Sequence, residues 1–523
     1  MQTTVGGREL MAVAPDDYPL LMKNATSNDT SKPDEEEATP NDSVEEEDSM
    51  VEQLPPPPRP KYYELVEQIQ KLTSIEDAQG RTQRNSHTAY NRAIVVQHAP
   101  WLPYRRLCKD TCCVETVAIS LEQDDHQIIQ NRDGRTLADL TLQQFDKPKQ
   151  HYRFHSQSIN EAVLPCIVPG TIIQIENHNK GLQYFWKVLR PKIKVPYILL
   201  TTGTDDDSPQ FGAEYISDPL LIKWYGTNPK YSNHLSFQKH LGTKFRGFHL
   251  GLSGVVHPQE RFLLPYLELT NFTNPFADKE QWDFSKQPLD FSKDVFVHFG
   301  LRRKNRKALW KVLCPQNATS GVSCNRETTN LPVHAINADM SQYRFGVSPI
   351  GAGYDCYRTY EMLLLGIIPI IEERFPESYD LFEGLPVIHM ADMGEANSTQ
   401  QFKDAIVNYI ESDKFQESNF EAGWERLFLK HRRRQLLRDA GREKEIVVDD
   451  QGKEYYQAYL YSSDEKDIFC RDNGSCESSK DKNAMDWFSS PKPKMTLKEK
   501  EKVIKEKDWL MKWEHKGQRP AIW

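Results

Sequence analysis

Apolar positions fall into regular patterns only after residue 60. Tyr62, Leu65, Ile69 and Leu72 are spaced three, four and three apart, which predicts a short amphipathic helix docked on a globular body. Between residues 87 and 288, short apolar runs alternate with polar loops. Residues 93–97, 114–121, 170–176, 197–201 and 222–225 read as strands, and 183–189 fits helix or strand. Residues 163–168 are apolar, but Pro165 excludes a helix interior or a central strand there. A second series starts at Asp294: the strand DVFVHFG, the basic loop LRRKNRK and the helix ALWKVL. Further on, 343–347 reads as a strand, 356–365 as a helix with Asp355 as its N-cap, and 367–371 as a buried strand after a stop at Gly366. Residues 385–388 read as one more strand.

Strand–loop–helix repeats of this kind predict an α/β fold with parallel sheets, organised as two α/β units. The expected divisions are an acidic, proline-rich, disordered stem (1–60), a helical connector (61–86), a first α/β domain (87–288), a second (289–430) and a helical tail (431–523) packed back on the body. The tail holds the basic stretch HRRRQLLRDAGR and a charged helix with Leu497, Val503, Ile504, Leu510 and Met511 interspersed.

The net charge of −9 argues against wholesale nucleic-acid binding, so any anion site must come from local basic residues. Nine cysteines are present. Cys314 with Cys324, and Cys470 with Cys476, flank short loops and read as disulfides of an oxidising compartment; Cys108, Cys112 and Cys113 offer a third. Zinc is the alternative, without C-x-x-C pairs or clustered histidines to support it. Sequons at Asn24, Asn28, Asn41, Asn271, Asn317, Asn397 and Asn473 point the same way as the cysteine pairs, to a secretory protein. No run approaches the roughly 20 apolar residues of a membrane helix.

The densest chemistry lies in SPIGAGYDCYRTYE, residues 348–361. Gly351 and Gly353 allow a tight turn with positive φ, and a turn feeding a helix N-terminus favours anions. Arg358 and Glu361, three apart, share one helix face. The cation can hold a phosphate while the carboxylate accepts hydrogen bonds from sugar hydroxyls, a combination that fits a nucleotide-sugar. An exposed ion pair beside a packing turn is the plainer alternative.

This stretch, continuing as MLLLGIIPII, resembles the signature of exostosin-like glycosyltransferases, in their donor-binding half. The similarity is dense over 294–390, including LFEGLPVIHM, and weaker over 195–252. The resemblance implies the two-domain GT-B architecture, with Rossmann-like sheets facing across a cleft. It implies a glycosyltransferase moving a sugar from a nucleotide-sugar, a UDP-sugar, to a glycan or glycoprotein acceptor. It places Arg358 on the diphosphate and Glu361 on the ribose, with Ser348, Gly351, Gly353, His389 and Arg302 or Arg303 completing the donor site. It implies a Golgi-lumen enzyme with an N-terminal membrane anchor. The chain departs from the family's pattern at Ile350 and Ala352, where Arg or Asn is frequent.

Asp205-Asp206-Asp207 follows an apolar run. Asp205, Asp207 and, from a later loop, His257 are candidates for the general base that deprotonates an acceptor hydroxyl; His234 and His240 are weaker ones. No metal or other cofactor is required. A divalent cation enters only in a rival reading, a metal-dependent GT-A transferase holding it on Asp205 and Asp207. A further rival is a non-catalytic secretory carbohydrate-binding or scaffold protein with a decayed donor site. Trp224 and Tyr225 read as core residues that could also stack on sugars.

Overall fold

A computed structural model describes residues 59–80 and, in segments separated by loops, most of 106–462. The acidic stem up to residue 58, the charged helix near 497–511, the 470/476 cysteine pair, the strand expected at 93–97, and Arg302, Asp205, His234, His240 and His257 lie outside the described residues.

The protein is α/β, and its described residues form two parallel sheets and one antiparallel sheet. The antiparallel sheet contains β1 (Arg106–Lys109) and β2 (Cys112–Ser120). The first parallel sheet has β3 (Leu140–Leu142), β4 (Gln157–Ser158), β5 (Thr171–Glu176), β6 (Tyr197–Thr202), β7 (Leu221–Gly226) and β8 (Phe245–Gly247), in the order β4-β3-β5-β6-β7-β8. The second has β9 (Val295–Val297), β10 (Ser323–Cys324), β11 (Phe345–Ser348), β12 (Ile368–Glu373) and β13 (Ile388–Ala391), in the order β10-β9-β11-β12-β13. The chain then returns to the antiparallel sheet with β14 (Ile446–Val448) and β15 (Glu454–Ser462), giving β1-β2-β15-β14.

The central strands of the parallel sheets are buried almost throughout, as expected for sheets covered on both faces. Ile198, Leu199 and Leu200 on β6, and Ile368 and Ile370 on β12, are fully buried. Described helices include α1 (Val66–Gly80), α2 (Asn179–Tyr184), α3 (Glu260–Leu269), α4 (Lys304–Leu313), α5 (Val333–Met340), α6 (Tyr357–Leu364), α7 (Thr399–Ile410), α8 (Asp413–Glu417) and α9 (Leu429–Asp439). The stretch 183–189 is helical, and 164–166 is a 3₁₀ turn with Pro165 at its start. Tyr62 and Ile69 pack with Leu263, Tyr266 and Leu267 of α3 in the core around the second parallel sheet, which also takes in Leu250, Leu252, Phe276 and Trp282.

Two expectations need correction. The run at 114–121 is not in a parallel sheet: it pairs antiparallel with β15, from Cys113↔Ser462 to Ser120↔Tyr455. The tail is correspondingly not helical throughout. After α9 it forms two strands, and the tyrosine-rich sequence EYYQAYLYS favours a strand because aromatic side chains pack well on a pleated surface.

Buried contacts fasten this return. Arg442 donates to Asp139 Oδ2 at 2.6 Å, to Glu445 Oε2 at 2.8 Å and to the Gln457 carbonyl at 2.6 Å, and its guanidinium lies 4.0 Å from the Tyr459 ring centroid. Burial opposes its charge, yet Asp139, Tyr459 and Glu445 together raise its pKa.

The pair Cys314–Cys324 forms a disulfide as its spacing predicts. Cys112 bonds to Cys166, a partner 54 residues away, outside the 108–113 cluster. These bonds fit a secreted or lumenal setting. Cys356 carries a free thiol. Asn271 lies exposed in a left-handed turn with φ 49°. Among the described residues, no helix is long and apolar enough to cross a membrane.

Candidate functional site

The two parallel sheets belong to one compact unit, Pro57–Trp523, and segments beyond their carboxyl edges touch. In open α/β sheets these edges are where ligands bind. On the second sheet, β11 ends at Ser348 and is followed by the glycine turn and α6. Gly366, at φ 77°, ends α6 as the sequence predicts, because the left-handed conformation suits glycine.

The glycines before α6 serve a different purpose from the one expected. Neither Gly351 nor Gly353 has positive φ. Gly353 is required by close approach: a Cβ there would stand 2.4 Å from Asn228 Oδ1. At Gly351 a Cβ would lie 3.3 Å from an Arg306 guanidinium nitrogen. Arg306, within the basic stretch, donates to the carbonyls of Ile350 at 2.7 Å and Pro349 at 2.8 Å. It braces the turn. The stretch read as a basic loop is mostly helix, since α4 begins at Lys304, and Arg303 is exposed at its N-cap position.

Asp355 lies one residue too early to cap α6; Cys356 occupies that position. The Asp355 carboxylate instead accepts from Cys356 N at 2.8 Å, from Leu250 N at 2.8 Å and from the Tyr360 hydroxyl. It therefore ties the segment after β8 to α6. Burial drives its pKa up to about 7, against the opposing pull of those donors. Nearby, His249 Nε2 stands 2.6 Å from the Leu381 carbonyl, and Arg432 of α9 contacts the same ring at 2.9 Å. With Nε2 as the donor to Leu381, Nδ1 accepts from Arg432, a neutral tautomer consistent with a pKa far below normal through burial and the Arg432 charge.

On α6, Arg358 Nη1 is 2.9 Å from Glu361 Oε2, and Glu361 is only 4 % exposed. Burial raises the Glu361 pKa while Arg358 partly offsets it. Arg358 Nη1 also approaches Met340 Sδ at 3.6 Å. Beyond β9, His298 is buried; desolvation and the Arg358 charge lower its pKa to about 4, so it is a neutral imidazole at neutral pH. Ser348 is buried with its hydroxyl 2.9 Å from Thr359 Oγ1, which joins β11 to α6. His389 lies inside β13, rather than beyond a strand ending at 388, with its pKa lowered to about 3 by burial and Lys414.

On the first sheet, the loop carrying Asp207 is tied to the carboxyl edge. Asn177 Nδ2 donates to the Asp207 carbonyl at 3.0 Å, Thr204 donates to the Asn177 carbonyl at 2.9 Å, and Ser208 Oγ lies 2.7 Å from Thr201 Oγ1. Trp224 and Tyr225 are fully buried; the Trp224 indole donates to Thr201 Oγ1 at 3.0 Å. Among the described residues, no group of three or more His, Cys, Asp or Glu side chains is arranged to hold a metal ion.

The structure thus brings Arg358, Glu361 and His298 together and sets the glycine turn against Asn228. Sequence reasoning missed Arg306, Asn228 and His298. His298 sits in the strand motif DVFVHFG, where a polar residue closing an apolar run was the available signal. Compared with known proteins, the chain matches no family model and no curated protein at a significant level of similarity.

Proposed function

We propose that this chain is a glycosyltransferase that transfers a sugar from a nucleotide-sugar, a UDP-sugar, to a glycan or glycoprotein acceptor in the Golgi lumen. The observation that carries this reading is the Arg358–Glu361 pair, its carboxylate buried and its guanidinium partly exposed, on α6 directly after the glycine turn at the carboxyl edge of a parallel sheet. The exostosin-like motif on the same residues supports it. So does the contact between the carboxyl-edge segments of two parallel sheets, as in a GT-B enzyme with its donor in the second domain.

In this mechanism Arg358 and the α6 N-terminus stabilise negative charge developing on the leaving diphosphate. Glu361 accepts hydrogen bonds from the ribose hydroxyls. A carboxylate of the loop at 205–207, or His257, removes the acceptor's hydroxyl proton as that oxygen attacks the anomeric carbon. Arg302 or Arg303 gives a further phosphate contact.

The test is calorimetric titration of the purified protein with a panel of nucleotide-sugars, followed by a transfer assay with and without EDTA. Binding and transfer that survive chelation are expected. Absence of binding to every donor sinks the enzyme reading, and loss of transfer on chelation moves the site to Asp205 and Asp207. That same absence of donor binding fits the carbohydrate-binding alternative with its decayed donor site, which the departures at Ile350 and Ala352 support.

A further inference from the structure

Asn228, two residues beyond β7, is fully buried and has left-handed backbone at φ 49°. Asparagine visits this region more readily than most residues, and such conformations collect at ligand sites. Its side-chain Oδ1 accepts from Asp355 N at 2.8 Å, which sets the orientation of the amide, because only the oxygen can accept. The other amide atom, Nδ2, is buried and has no hydrogen-bond partner. A buried donor without a partner is penalised, and it marks a place where an acceptor is missing.

The packing of the side chain shows which segment the amide lies against. A Cβ on Gly353 would lie 2.5 Å from Nδ2, so the amide faces the turn that leads into α6. The first N–H groups of that helix favour an anion, and Arg358 is its second residue. An orphan N–H from the first parallel sheet and the positive end of a helix on the second thus converge on one turn.

We propose that Asn228 Nδ2 is a ligand of the donor's diphosphate, supplied by the first sheet. This rests on the donor-site reading above and extends it across the seam: the phosphate oxygens lie beside the glycine turn, at the β7 edge, and accept the Asn228 N–H. The backbone N–H of Asp355 holds the amide so that its nitrogen faces the phosphate. Gly353, without a side chain, leaves the space that the amide occupies.

The full chain is titrated with UDP and, separately, with uridine, which lacks the phosphates. Asn228→Asp keeps an oxygen for the Asp355 N–H but removes the donor; UDP affinity should fall by about tenfold or more while uridine affinity is unchanged. Asn228→Gly tolerates the left-handed backbone and serves if a carboxylate at 228 prevents folding; it should show the same selective loss. If the wild type binds UDP and the folded variants bind it within about twofold, Asn228 is not a phosphate ligand, and the Arg358–Glu361 reading is untouched. If the wild type binds no nucleoside diphosphate, the donor-site reading fails and this inference with it.

Discussion

Arg358 Nη1 and Glu361 Oε2 are 2.9 Å apart, yet the contact lacks hydrogen-bond geometry and leaves that buried carboxylate oxygen without a hydrogen-bond donor. The pair is held by charge rather than by directed bonds. Capacity for a hydroxyl donor therefore remains on Glu361, as a ribose-binding role requires.

Glu361→Gln should lower nucleotide affinity by about tenfold, equivalent to ~1.4 kcal/mol, because a neutral amide replaces a charged acceptor. Calorimetry with UDP reads the change; unaltered affinity would remove Glu361 from the site. Arg358→Ala leaves the Glu361 charge buried and uncompensated. A stability loss of about 1–3 kcal/mol is expected in urea unfolding, discounted from a fully buried pair because Arg358 is partly exposed.

Asp139→Ala strips the buried Arg442 of its closest carboxylate, and both side chains are almost solvent-free. Removing one partner of such a pair costs about 3–5 kcal/mol. Since Arg442 also holds Gln457 and Glu445, hydrogen exchange in β15 should accelerate along with the lower urea midpoint.

Gly353→Ala places a methyl group 2.4 Å from the Asn228 amide and should destabilise by about 1–3 kcal/mol. At Gly441 a Cβ meets nothing within 4 Å, so only the φ of 71° penalises Gly441→Ala, at about 1 kcal/mol. Thermal melts of the two variants separate steric from conformational cost. Adding Asn228→Gly should relieve the first and leave the second unchanged.

Asp355 gives a pH signature of unusual sign. Its folded-state pKa is raised from 3.8 to about 7, so the folded protein holds a proton that the unfolded chain has lost between those values. Stability contributed by this group is full at acid pH, falls as pH rises from about 4 to 7, and levels off above that. The depressed histidines His298, His389 and His431 oppose it, losing stability as pH falls through 6.5 towards about 4 or 3. The difference in unfolding free energy between wild type and Asp355→Asn isolates the Asp355 slope; a flat difference from pH 4 to 7 would refute the assignment.

Breaking the Cys112–Cys166 bond with a double serine variant should cost about 4 kcal/mol by the loop-entropy relation for its 54-residue separation. Denaturation with and without reductant measures it, and reductant should then have less effect on the variant.

Much of the secondary structure was legible because its signals are local. The isoleucine-rich strand after Gly366, the helix from Tyr357 and the short-loop disulfide Cys314–Cys324 each follow from residues close together in the chain. Where the reading slipped, the cause was a remote partner. Asp355 reads as an N-cap by position, but Leu250, more than a hundred residues away, draws its carboxylate elsewhere. Arg306 sits in a charge run that resembles solvated surface, and only the carbonyls of the turn give it a task.

The sequence by itself determined the alternation of strands and helices, the parallel character of two sheets and the residues of the Arg358–Glu361 pair, since periodicity and helical spacing are properties of a few neighbouring positions. The tertiary structure alone decided that β15 closes a sheet with β2, that Cys112 bonds to Cys166, and that Gly353 must be glycine because Asn228 occupies the space of its side chain. Those contacts join residues scores to hundreds of positions apart. No local pattern encodes them; they exist because the two sheets, each packed around its own core, fold into one unit that brings their carboxyl-edge segments to within hydrogen-bonding distance.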